Sequence, residues 1–348
     1  MKINKILSFV FASALLFTVS CNDDDPVIEP PKGAYENGIF VTNEGNFGVP
    51  NADVTFVSDN LNSIEQNIYK TNNGEDLGDV LQTMYYNGDY TYLVLNNTNK
   101  VTVVNRYTFK KTGEITSNLS NPRYIGFANN FVYVSNDKYG GDKYVSVYKQ
   151  SDLSFVKKIA MTDAAERLVS AGSNIFVQNA SFGFGNKISY INTSTNEVQS
   201  EIAVPSGQIQ KIVSDNNNVY AIASDFGLVD SYIYQISSTG SITKTTTLTG
   251  IENAANLCID GGKFYFTSGM KIYGMDMNTS AIPSSPIATA TQSDAYSGLY
   301  GFNVIDGKIF TSDANGFTAD SKVTVYDTSG TVIKTFTAGK GTNGFYKN

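Results

Sequence analysis

The chain has 348 residues, with 25 basic and 32 acidic side chains for a formal charge of −7, and it contains no histidine, no tryptophan and two cysteines. Without histidine, Ser-His-Asp and Cys-His catalysis, His-based zinc sites and axial His ligation of haem or cobalt are all excluded. The acidic balance and the lack of a Lys/Arg-rich block disfavour nucleic acid as a partner.

The chain begins with a short basic region, followed over residues 6–19 by a nearly continuous apolar run. That run is too short to span a bilayer and has the form of a secretory signal. It ends in Thr18, Val19, Ser20 and Cys21, which resembles a bacterial lipobox with Thr18 where Leu is usual. Residues 1–20 are therefore expected to be a lipoprotein signal peptide and Cys21 the lipidated residue; a plain secretory signal with an incidental cysteine is the alternative. Residues 21–36 are acidic, proline-rich and without periodicity, which predicts a disordered tether. An acidic run directly after the lipid cysteine resembles the surface-export signal of Bacteroidota lipoproteins, and a solvated spacer on a periplasmic lipoprotein is the bland alternative.

Residues 37–348 hold one further cysteine, Cys258, inside a strand-like run, where it reads as a small buried hydrophobe. No disulfide can staple this region, so burial must stabilise it; about 310 residues suffice for that. Its dominant feature is a phrase repeated seven times: a tight polar or Gly-containing turn, then an aromatic β-rich run. Phe40, Tyr92, Tyr133, Phe176, Tyr220, Tyr265 and Phe310 anchor the copies at steps of 52, 41, 43, 44, 45 and 45 residues. A four-stranded propeller blade takes about 40–50 residues, so the period predicts an all-β, seven-bladed β-propeller.

Each anchor strand is followed by two further β runs and preceded by a short apolar run, as expected of an innermost strand. The first anchor has only the tether before it. The missing inner strand is expected at residues 344–348, so that the C-terminal segment closes the ring and removes its edges. Alternation of strand direction then puts the anchor-to-third loops on the same face as the loops between blades. These loops carry large side chains amid amides and carboxylates, the pattern that a neutral, amphipathic, ring-rich ligand needs. Asn43, Glu44, Asn46, Phe47, Tyr139, Phe182, Phe184, Phe226 and Phe317 are the candidate rim contacts. Covering the blade ends is the competing role for each aromatic.

Other chemistry is weakly signalled. Asp76/Asp79 and Asp313/Asp320 are carboxylate pairs, but nothing specifies a catalytic dyad. Residues 313–320 lack the ligand alternation of a calcium loop, and Gly183 and Gly185 precede no helix that would make a phosphate cradle. No metal site or cofactor is expected, and no enzymatic activity.

The phrase at residues 37–48, NGIFVTNEGNFG, resembles the opening blade of YncE-like, DUF5074-type surface lipoproteins. Residues 77–79, 99–104, 121–125 and 299–314 continue the likeness, which covers essentially the whole region after the tether. The resemblance implies a seven-bladed propeller. It also implies a role like that of the BtuG-type proteins, which capture cobalamin at the cell surface and pass it to a TonB-dependent outer-membrane transporter. A corrinoid would then be held by its ring edge, amide arms and nucleotide. The rival expectations are a surface scaffold for a protein or glycan partner and a metal-and-carboxylate hydrolase.

Overall fold

The computed structural model describes residues 32–348, and Gly33–Asn348 form one compact unit. The signal peptide expected over residues 1–20, the lipidation site Cys21 and most of the tether lie outside the described residues. The fold starts slightly earlier than the repeat alone suggests. Tyr35, assigned to the tether from sequence, is buried against Phe40, Phe56 and Phe109, and its amide donates to the Tyr107 carbonyl at 3.0 Å.

Seven antiparallel sheets of four strands each make up the unit. Every repeated phrase becomes the second strand of a blade. Gly38–Asn43 is buried along its whole length, and Phe131–Asp137 and Asn174–Ser181 are buried through their centres. Strands covered on both faces by neighbouring blades favour unbroken β-branched and aromatic runs, which explains why the anchor phrases stand out. Outer strands such as Val332–Thr337 are largely exposed.

The innermost strands are Thr342–Lys347, Leu81–Asn87, Pro122–Ala128, Leu168–Ala171, Gln208–Asp215, Ala254–Asp260 and Gly298–Ile305, belonging to blades 1 to 7 in that order. Thr342–Lys347 pairs antiparallel with Gly38–Asn43, bringing Phe345 opposite Val41. The C-terminal segment thus closes the ring, and Phe345 is buried against Phe310 at 5.4 Å between ring centroids. The first repeat interval is the longest because a helix, Ile68–Asn73, is inserted between blades 1 and 2. The carboxylate of Asp53 accepts from the amides of Tyr69 and Lys70 in its first turn, at 2.9 and 3.1 Å.

The inner strands are less regular than their apolar character predicts. Register breaks fall between Leu81 and Thr83, Pro122 and Ile125, Ile209 and Lys211, Ala255 and Cys258, and Gly298 and Phe302. A bulge re-aims a side chain that would otherwise follow the period-two alternation. Gln82, Tyr124, Asn256 and Tyr300, all within such breaks, line the axial channel.

Candidate functional site

The loops between second and third strands and the loops between blades share one face, as strand alternation requires. On it lies a cavity of about 1080 Å³ walled by blades 1 to 4. Phe47 of blade 1, Tyr139 of blade 3, and Phe182 and Phe184 of blade 4 supply its aromatic wall. These rings are between 78 and 101% exposed, so they contribute little to the core and present their faces outward.

Local structure explains how each ring is held. Phe182 and Gly183 have φ of 51° and 79° and join paired residues Ser181 and Phe184, so they form a two-residue hairpin turn of the type that needs positive φ twice. The sequence suggested a loop over residues 180–186; the strands instead extend into it and leave Phe182 at the tip. A bulky side chain in the left-handed region is disfavoured by roughly 1–2 kcal/mol, and such a position marks a candidate functional site. Gly185 is required beside it, because a Cβ there would fall 2.4 Å from the Asn179 carbonyl oxygen.

Phe47 is held from the next blade. Gly48 donates its amide to Asp79 Oδ2 at 2.9 Å, and the Asn97 side-chain amide donates to the same oxygen. Asp79 is buried, so one carboxylate positions both an aromatic and an amide of the cavity wall. Its place in the Leu-Gly-Asp phrase was noted from sequence, but its positioning role was missed.

The polar groups of the wall are mostly paired. Arg123 Nε lies 3.1 Å from both oxygens of buried Glu166, and its Nη1 donates to Gln82 Oε1 at 2.6 Å. Burial pushes the Glu166 carboxyl up, and the Arg123 guanidinium pulls it back. Lys143 pairs with Asp137 at 3.3 Å, and Lys187 with Asp163 at 3.5 Å and Glu201 at 3.0 Å. Asn97, Asn121 and Asn186 add amides. None of the wall residues Asn97, Asn121, Arg123, Lys143, Asn186 or Lys187 was a sequence candidate.

The remaining candidates lie elsewhere. Asn43 is buried beneath the rim and therefore is not a surface contact. Its Oδ1 accepts from the Gly339 amide at 3.0 Å and from Thr342 Oγ1 at 2.7 Å, while its Nδ2 donates to Thr55 Oγ1 at 3.1 Å. Asn136 and Asn179 end their phrases in the same way, donating or accepting across the strand end and the loop from the preceding blade. The final Asn of the phrase is thus a structural latch, repeated for packing.

Glu44, Asn46 and Phe317 cluster at blades 1 and 7. Tyr300 donates its hydroxyl to Glu44 Oε2 at 2.7 Å, and Asn343 Nδ2 donates to Oε1 at 2.8 Å. Burial raises the Glu44 carboxyl despite these two hydrogen bonds. Phe317 meets Tyr300 edge-on at 4.8 Å, and the Phe317 carbonyl accepts from Asn46 Nδ2 at 2.8 Å. Phe226 is 97% exposed on a loop of blade 5, outside the cavity wall. The carboxylate pairs are engaged separately. Asp76 pairs with Lys70, and Asp313 accepts from Ser293 and Asn315.

Below the cavity, a cleft of about 180 Å³ shares Arg123, Glu166, Ser181 and Phe182 with it. The same cleft shares Tyr124 and Arg167 with an axial channel of about 450 Å³. Cavity, cleft and channel therefore adjoin one another, with shared wall residues.

Seven four-stranded blades with an aromatic cavity on the loop face define a β-propeller suited to a binding or scaffold role. Among solved structures, the fold is similar to a quinonprotein alcohol dehydrogenase-like protein from Bacteroides thetaiotaomicron (TM-score 0.66, 14% identity, 90% of this chain and 77% of that one). It is also similar to a functionally unknown protein from Desulfotomaculum acetoxidans (TM-score 0.68, 12% identity, 89% and 98%). A third similar structure is BamB from Moraxella catarrhalis (TM-score 0.54, 11% identity, 91% and 89%). No curated protein matches the chain. The chain belongs to the family described as Domain of unknown function (DUF5074), whose model matches residues 37–346.

Proposed function

We propose that the protein is a non-enzymatic, lipid-anchored capture protein that holds a corrinoid on its loop face and delivers it to a TonB-dependent outer-membrane transporter. Cys21 is the anchor in this reading, and the outer face of the outer membrane is the location. The single observation that carries it is the rim cavity. At about 1080 Å³ it stands at the upper end of ligand-pocket sizes, and four exposed rings from three blades converge on it. Aromatic faces match the flat apolar body of a corrinoid. Asn97, Asn121 and Asn186 are placed to pair with its amide arms. The corrinoid comes from the resemblance of the first-blade phrase to YncE-like, DUF5074-type lipoproteins, among which the BtuG-type proteins capture cobalamin; membership of the family supports the fold more strongly than the ligand.

Calorimetric titration with cyanocobalamin tests this. Saturable binding tighter than about micromolar, or roughly 8 kcal/mol, is expected. Replacing Phe47, Tyr139, Phe182 and Phe184 together by alanine should abolish it while leaving the melting transition in place. Absence of both heat and thermal shift would retire the corrinoid.

A second reading, a surface scaffold for a protein or glycan partner, is favoured by one observation. Phe226 and Val229 are 97 and 72% exposed on one loop of blade 5, outside the cavity wall. Co-purification of a membrane partner that is lost on changing Phe226 and Val229 to serine would identify it.

A further inference from the structure

The axial channel is lined by Arg167 at the start of the blade 4 inner strand and by Lys211 on that of blade 5. Neither has an ion-pair partner among the described residues. The Arg167 guanidinium lies over the Tyr124 ring at 4.5 Å from its centroid, and Lys211 faces Arg167 and Cys258 with no carboxylate beside it. The carboxylates nearest the channel are already committed, Glu44 to Tyr300 and Asn343 and Glu166 to Arg123. Across channel and cleft, Arg123, Arg167 and Lys211 face only Glu44 and Glu166. This local excess of positive charge stands inside a protein whose formal charge is −7.

Arg167 and Lys211 line one space with a single carboxylate, Glu44, so like charge and lost hydration both disfavour the Lys211 ammonium. Accordingly, burial and then Arg167 push the Lys211 ammonium down to about 7. Hydrogen-bonding side chains surround the pair. Gln82 and Thr83 come from blade 2, Asn256 from blade 6 and Asn343 from blade 1. Asn343 is held within the fold by Glu44, Leu81, Gln82 and Thr42, which leaves the two cations with the Gln82 and Asn256 side chains as donors that complement an oxygen anion.

We propose that the axial channel is an oxyanion site, in which Arg167 and Lys211 together hold a phosphate or carboxylate group. The site goes beyond the rim cavity and does not depend on what occupies that cavity. Its occupant is either a free oxyanion or the acidic end of a larger molecule. Occupancy supplies the missing counter-charge and restores the proton on Lys211, so binding above about pH 7 takes up a proton. The other titratable groups lining the channel are Glu44 and Tyr346 from blade 1, Tyr124 from blade 3, Arg167 from blade 4, Cys258 from blade 6 and Tyr300 from blade 7; of these Arg167 and Cys258 act on Lys211 directly. Burial holds the Cys258 thiol up at about 12, and it also raises the Tyr124 and Tyr300 phenols. With succinate, whose carboxyls are fully ionised near pH 8, the proton taken up is therefore assigned to Lys211.

The test is titration of the full-length chain with inorganic phosphate and with succinate, at about pH 6 and about pH 9, on either side of the Lys211 transition. Saturable binding is expected, weaker at the higher pH. Near pH 8 its heat should change with the ionisation enthalpy of the buffer, reporting proton uptake. Arg167→Met and Lys211→Met should each weaken it by about tenfold or more, and Lys211→Met should also remove the buffer dependence. Lack of binding of either anion at tens of millimolar at the lower pH would overturn the proposal, as would affinities unchanged in both variants. Adding cyanocobalamin separates the two sources: displacement of bound phosphate assigns the site to the acidic end of a larger ligand, and joint occupancy assigns it to a free anion. Cobalamin binding without any oxyanion effect defeats this inference alone, while oxyanion binding without cobalamin defeats only the corrinoid reading.

Discussion

The rim cavity and the axial channel adjoin the same cleft, yet their charges are arranged differently. In the cavity Arg123, Lys143 and Lys187 each have a carboxylate within 3.5 Å, Lys138 has no ion pair among the described residues, and rings and amides make up much of the remaining wall. In the channel Arg167 and Lys211 have none, and the lining is mainly amide and phenol. A surface whose charges are mostly paired selects chiefly by shape and ring contact. A space in which cations outnumber carboxylates selects by charge. One molecule presenting both an apolar body and an acidic group would engage the two regions differently at its two ends.

The largest effect is expected from a change that removes the scaffold under both regions. Phe345→Ala should cost about 3–5 kcal/mol by opening a cavity where the closing strand meets the first anchor strand. A denaturant melt checks it, and both anion and corrinoid binding should fall in proportion to the unfolded fraction.

Arg123→Ala would give the cavity the uncompensated character of the channel. It leaves Glu166 buried with its ion-pair partner gone, so a loss of about 3 kcal/mol is expected in the same measurement. Arg123→Lys should recover only part, since a single ammonium cannot reproduce contacts to both the carboxylate and Gln82.

Lys211→Met makes the opposite conversion and removes charge from the channel. In the folded chain Lys211 holds its proton only up to about pH 7, whereas unfolded it holds it to about pH 10.4. Between these values the unfolded state binds more protons, so stability rises with pH there, and below pH 7 the full penalty for burying the charge remains. The variant should therefore melt a few degrees above the parent near pH 6, and the gap should shrink as pH approaches 10. Melting curves of the two proteins across that range, in a buffer free of oxyanions, read the difference directly.

The smallest stability effect is expected from the rim itself. Phe182→Gly releases an aromatic residue from φ of 51° and should stabilise the hairpin by about 1 kcal/mol while weakening the cavity ligand. A thermal melt paired with ligand titration separates the two outcomes.

The architecture was legible in the sequence because a blade buried on both faces leaves a periodic aromatic trace, and Phe40 through Phe310 preserve it. Closure followed from one missing inner strand, and the shared loop face from strand parity. The site was harder to read. A repeat looks alike in every blade, so nothing in the phrase says that Phe47, Tyr139 and Phe182 converge while Phe226 and Phe317 lie apart. Asn43 was misassigned because an Asn at a strand end looks like a loop amide until its partners Thr55 and Thr342 are known. Lys211 interrupts an apolar run, and only the bulge beside it shows that it enters the channel.

The closing strand also dictates an order of events in the life of each molecule. Blade 1 begins at Gly38 but is completed only by Thr342–Lys347, which follow the strands of all six other blades in the chain. Until they arrive the first anchor strand has an open edge, which is the state most prone to pairing with another chain. A chain lacking that strand keeps the open edge, so ring closure ties the protection of the first blade to a segment far from it in sequence.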